Sequence, residues 1–89
     1  MIFEWNETKA QYNKQKHGIS FEEAASVFDD PLSEIFDDPE HSNQEEQLVM
    51  IGMSHSNKLL AVSFTERPDA TRITSARRTT KREQNDYGA

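Results

Sequence analysis

The stretch LLAVSFTERPDATRITSARRTTKREQNDY, residues 59–87, reads as strand, turn, strand and helix. Leu59–Thr65 is an apolar, β-branched and aromatic run of strand length. Arg67, Pro68, Asp69 and Ala70 form a turn, since proline presets one backbone angle and aspartate bonds back to its own backbone. Thr71–Ala76 alternates in character, as a half-buried strand does. Thr80 and Glu83 have capping-box spacing and open a helix that reaches about Tyr87. Two strands joined by so short a turn pair antiparallel, so the unit is a sheet followed by a helix.

Working back towards the N-terminus, Leu48–Met53 is continuous and apolar, the pattern of a central strand. Ser56, Asn57 and Lys58 mark a hairpin turn into Leu59. Leu32–Phe36 is a weaker strand candidate. Ser20 pairs with Glu23 in a second capping box, and Phe21, Ala24, Ala25 and Phe28 follow at helical spacing until Asp29, Asp30 and Pro31 stop them. Upstream, Asn6 caps a polar helix that runs to about His17 and closes at Gly18. Ile2–Trp5 is a short strand with Phe3 and Trp5 on one side; Trp5 reads as core edge, with base stacking as the other reading. The order implies an α+β fold: a compact antiparallel sheet with two N-terminal helices packed on it and a C-terminal helix. The 89 residues make one domain, 1–89. A chain this short buries roughly 60–65% of its unfolded surface, enough for one sheet covered on one side by helices.

Composition narrows the function. There is no cysteine, hence neither disulfide framework nor thiolate metal site. The start, MIFEWNETK, lacks an apolar leader core, and no run approaches membrane-spanning length, so a cytoplasmic location is expected. The net charge of -6 argues against nucleic acid when read alone. Its distribution argues otherwise. Residues 1–66 hold 4 Lys/Arg against 13 Asp/Glu, whereas 67–89 hold 6 against 3. Phosphates respond to the local field, and a basic segment can bind them on an acidic chain.

That basic cluster is Arg67, Arg72, Arg77, Arg78, Lys81 and Arg82. Arg72 points opposite Ile73 along its strand, so one face can be buried while the other presents the guanidinium. Lys81 and Arg82 fall in the first turn of a helix, where the dipole disfavours cations. Stability therefore does not explain them, although a charged strand edge that deters aggregation is the plainer reading. On the first helix Lys9, Asn13 and Lys16 share about 60° of surface, and His17 lies i+4 from Asn13. His17 is a candidate acid, base or phosphate ligand, or else bonds the last helix carbonyls. Glu66 is a candidate base for a ribose hydroxyl, or an ordinary surface partner of arginine. Tyr87 can stack on a base or donate a proton, or pack its ring on the sheet. Asp37, Asp38, Glu40 and His41 contain oxygen and nitrogen ligands but no spacing of a known cation site, so 37–46 reads as an acidic loop. No Gly-rich phosphate loop, nucleophile elbow or His-Glu zinc motif is present.

The stretches FEWNETKAQYNKQKHGISFEEAASVFDD (3–30), LLAVSFTER (59–67) and RITSARRTTKREQNDY (72–87) together resemble the BrnT family, the toxin half of bacterial BrnT–BrnA type toxin–antitoxin systems. The likeness spans nearly the whole chain with motif order and spacing kept. It implies a RelE-like fold and a ribonuclease that shuts down translation. It also implies neutralisation by a BrnA-like ribbon-helix-helix antitoxin, the complex repressing its own operon. The matching functional positions would be Lys9, His17, Arg67, Arg72, Arg77 and Arg82, then Glu66 and Tyr87. The chemistry expected is metal-independent and cofactor-free: a 2′-hydroxyl attacks the adjacent phosphate while Arg72 and Arg77 stabilise the growing charge. His17 or Glu66 would accept the proton; Lys9, Arg67, Arg78, Lys81, Arg82 and Tyr87 would hold the RNA. A non-catalytic module that docks an acidic partner in an operator complex is the alternative. Direct DNA binding ranks last, since no helix-turn-helix pattern is present.

Overall fold

In the computed structural model, which describes residues 1–38 and 46–87, the elements follow the order β1 (Phe3–Glu4), α1 (Glu7–His17), α2 (Phe21–Ser26), β2 (Glu34–Asp37), β3 (Leu48–Met53), β4 (Leu59–Glu66), β5 (Thr71–Arg78) and α3 (Lys81–Asp86). The caps are those the sequence implies. Asn6 accepts from the Lys9 amide, Gly18 closes α1 at φ 72°, and Thr80 and Glu83 form a reciprocal capping box. Asn57, at φ 61°, makes the β3–β4 turn.

The five strands form one sheet in the order β1-β5-β4-β3-β2. It is mixed, which corrects the antiparallel expectation: β1 runs parallel to β5, pairing Phe3 with Thr71 and Glu4 with Arg72. The meander from β2 to β5 is antiparallel because its short turns force reversal. β1 arrives from the far end of the chain, and no hairpin dictates its direction. The β2 strand begins at Glu34, two residues later than expected. Asp30 holds the chain before it by accepting from the amides of Leu32 and Met53.

Helix α2 is shorter than its apolar stripe suggests. After Ser26 the chain tightens into a 3-10 turn, Val27–Asp29. Ser26 donates to the Glu23 carbonyl at 2.6 Å, a local bond that competes with continued α-helix. The tightening turns Val27 fully into the core, where Gly52 makes room: a Cβ there would meet Val27 Cγ1 at 2.8 Å. The Ser20–Glu23 box is formed only in part. Ser20 accepts from the Glu23 amide, but the Glu23 carboxylate turns to Ser54 and Lys58, stapling α2 to the β3–β4 turn.

One face of the sheet carries the core. Ala10, Ile19, Phe21, Ala24 and Val27 pack on Met50, Leu60, Val62, Phe64, Ile73 and Ala76, with Phe3, Trp5 and Phe28 at the margin. Trp5 meets Phe21 edge-on, its ring centroid 5.9 Å away. The opposite face is not bare, contrary to the expectation of one covered side. Side chains of α3 border a hollow there with Val49, Ile51, Ser63, Ser75 and Arg77, residues that alternate with the core positions.

Candidate active site

A bulge in β5 organises the basic residues. Phe64 faces Ile73, yet the preceding Ser63 faces Ser75, so one extra residue, Thr74, is inserted in β5. Arg72 and Arg77 are five positions apart, and strict alternation would put them on opposite faces. The extra residue restores parity. Ile73 and Ala76 both enter the core, and Arg72 and Arg77 both emerge on the face bordered by α3. Thr74 fixes the insertion by donating its hydroxyl to the Ser63 carbonyl.

Both arginines are held by carboxylates. Arg72 donates to Glu4 at 2.7 Å, across the parallel β1–β5 pair. Arg77 makes a fork with Glu83 of α3, Nη1 to Oε1 at 2.8 Å and Nη2 to Oε2 at 2.9 Å, and Nη1 also donates to the Arg78 carbonyl. These bonds use three of the five guanidinium N–H groups. The bond from Arg77 holds the Glu83 carboxyl down at about 2, against an ordinary 4.5, with the Thr80 amide contributing. The same bond raises Arg77. A carboxylate depressed on folding stabilises above its unfolded pKa and loses that stabilisation as pH falls through the folded one. The pair therefore acts fully above about pH 4.5 and fades towards about 2. Asp30, also held below its ordinary value, adds to the same acid sensitivity. Glu83→Gln should flatten the acid limb of a melting-versus-pH profile by about 1–2 kcal/mol, allowing for solvent screening. A profile identical to that of the parent chain would show that the pair contributes nothing.

Two hollows flank β5. One, of about 440 Å³, lies under α3 and is lined by Arg77, Arg82, Glu83 and Asp86, with Asp37 and Asp38 opposite. The other, of about 600 Å³, lies between α1 and the β5 edge and is lined by Thr8, Lys9, Tyr12, Asn13, Lys16, His17, Thr74 and Ser75. Ser75 belongs to both. The Lys9–His17 face of α1 and the arginine face of β5 thus adjoin across a single exposed residue.

Asn13 builds the second hollow. Its amide donates to the carbonyls of Ile19 and Ala76 and accepts from the Ala76 amide, all at 2.8–3.0 Å. It completes the β5 edge where β1 ends, acting as a one-residue strand. Its side chain thereby sets the distance of α1 from β5.

The remaining candidates scatter. Arg78 and Lys81 are exposed and line neither hollow; Arg78 pairs with the core residue Leu60 and so emerges on the face opposite Arg77. Glu66 and Arg67 lie at the far end of β4; Glu66 accepts from the Thr71 hydroxyl, and Arg67 closes the turn by backbone bonds with Ala70. Tyr87 donates to Asp30, which pushes its phenol up to about 12. Among the described residues no group of three or more His, Asp or Glu converges on a metal position. Glu40 and His41 lie outside the described residues, as does most of the expected acidic loop. Sequence reasoning left three contributors without a role at the site. Glu83 was legible only as a cap, Glu4 needed the β1–β5 pairing, and the Thr74 insertion has no sequence mark.

The family model described as ribonuclease toxin, BrnT, of type II toxin-antitoxin system matches residues 5–83. The chain belongs to this family. It is accordingly a ribonuclease toxin, and every candidate residue from Lys9 onward except Asp86 and Tyr87 falls inside the match. Among solved structures, the Brucella abortus ribonuclease toxin BrnT superposes with a TM-score of 0.68 at 22% identity, covering 91% of this chain and 100% of that one. At that identity the likeness speaks for the shared α+β architecture. A search of curated proteins found no match. Among the described residues no helix is long and apolar enough to cross a membrane.

Proposed function

We propose that the chain cleaves RNA by metal-independent transesterification at β5, on a RelE-like scaffold. The observation that carries this reading is the junction at Ser75, where a hollow lined by Lys9, Lys16 and His17 borders the arginine face. A phosphodiester lying across Ser75 has cations on both sides. The ribose 2′-oxygen attacks the adjacent phosphorus, the bond to the 5′-oxygen breaks, and a 2′,3′-cyclic phosphate and a 5′-hydroxyl result. His17 accepts the 2′-proton; it lines the junction hollow, whereas Glu66 is engaged with Thr71 at the far end of β4. Arg77, with Arg72 further along the same face, stabilises charge on the phosphoryl oxygens, and preorganised donors suffice for that. Lys9 assists the leaving oxygen. Glu83 fixes the plane of the Arg77 guanidinium by its bidentate fork, and Glu4 anchors Arg72 by a single bond.

The partner is a BrnA-like ribbon-helix-helix antitoxin, through which the complex reaches operator DNA. Such a target and partner are met in the cytoplasm, the location that fits this reading. Inducible expression in a bacterial host should arrest growth, and co-expression of such an antitoxin should restore it. Unimpeded growth with abundant folded chain would overturn the toxin reading.

A further inference from the structure

Tyr12 takes no part in that chemistry and packs into no core, being 64% exposed on the surface of α1. Its ring lines the hollow between α1 and β5. Lys9 at i−3 and Lys16 at i+4 share its helix face, and the Lys16 ammonium lies 5.8 Å from the ring centroid. Among the described residues, those around this hollow include Lys9, Lys16 and His17 and no Asp or Glu. That is unusual in a chain with 16 acidic and 10 basic residues, and the hollow under α3 differs, with Asp37, Asp38, Glu83 and Asp86 among its lining. An exposed aromatic ring flanked by cations, with no carboxylate among the described residues of its hollow, matches the chemistry of a single-stranded nucleotide. The ring offers a stacking surface and the lysines meet the backbone. The volume lies within the range of small-ligand sites.

We propose that this hollow is a nucleobase subsite, in which an unpaired base next to the cleaved phosphodiester stacks on Tyr12. The inference rests on the nuclease reading for its place in the reaction, but not for the binding itself. Stacking on Tyr12 turns the base out of its neighbours and leaves the following phosphate at Ser75. Thr74 and Ser75 then form the wall that the edge of the base meets.

Fluorescence anisotropy with short single-stranded RNA carrying 2′-O-methyl riboses tests this, because the blocked hydroxyl prevents cleavage. One oligonucleotide is complete, and others carry single abasic positions. The intact chain should bind the complete strand roughly 5- to 100-fold more tightly than the strand lacking the stacked base. Tyr12→Phe should keep that difference and Tyr12→Ala should abolish it, with unchanged melting temperatures since the side chain is exposed. Equal binding of all strands by the intact chain would overturn the subsite, as would Tyr12→Ala binding like the parent. Base-dependent binding without cleavage of unmethylated RNA would leave the subsite standing and count against the nuclease mechanism alone.

Discussion

Asn13→Ala should cost about 3 kcal/mol or more, and lower the melting temperature by roughly 12 °C or more. The side chain is 4% exposed and bonds three buried backbone groups. Removing it leaves the Ala76 amide, the Ala76 carbonyl and the Ile19 carbonyl without their partner. Each buried group left unsatisfied costs about 1–3 kcal/mol. Water entering the gap would recover part of this, which keeps the expected cost towards the lower end of that sum. A domain of this size has only about 5–15 kcal/mol in total. Asn13→Asp fares little better, because it keeps one acceptor, loses both donors and buries a charge. Gln11→Ala, on the exposed side of the same helix, should change stability by less than about 0.5 kcal/mol. Thermal melts of the three variants check this. An Asn13→Ala melt within a degree or two of the parent would show that the β5 edge is satisfied another way.

Arg77→Ala should reduce RNA cleavage by about 100-fold or more, the usual loss when one good donor to a developing charge is removed. Arg77 rather than Arg72 carries the larger expectation because it lines the same hollow as Ser75. Arg77→Lys should not restore the rate, since an ammonium cannot reproduce the fork with Glu83. The fold should survive, because Arg77 lies partly exposed, with 42% of its side-chain surface open, and Glu83 keeps its bonds within the capping box. Single-turnover cleavage rates beside circular dichroism spectra separate loss of chemistry from loss of fold. A folded Arg77→Ala chain that cuts at the parent rate would remove this arginine from the mechanism.

Local chemistry was readable in the sequence, and long-range chemistry was not. Asn6, Gly18 and the Thr80–Glu83 box mark helix ends through contacts three or four residues away, and those ends lie where the spacing implies. Leu48–Met53 and the strand from Leu59 stand out because both faces of a central strand are covered. The parallel β1–β5 pair joins residues 68 positions apart, and no local pattern encodes it. The Thr74 bulge is equally silent, although it decides that Arg72 and Arg77 share a face. Asn13 stood out in the sequence only as a neighbour of Lys9, Lys16 and His17 on one helix face, and its structural importance appears only against the β5 edge. The charge asymmetry pointed to β5, but not to the two carboxylates that hold its arginines. Lys81 and Arg82 remain in the first turn of α3 against the dipole, and Arg82 lines the arginine hollow.

On the proposed mechanism, cationic side chains at β5 promote RNA cleavage without a metal. Incubating the purified chain with single-stranded RNA in excess chelator, and determining the chemistry of the new ends, tests it most directly. The fragments should end in a 2′,3′-cyclic phosphate, and RNA whose ribose at the cut site lacks the 2′-hydroxyl should stay intact. Cleavage that appears only when a divalent cation is restored, or that leaves a 3′-hydroxyl, would contradict the mechanism.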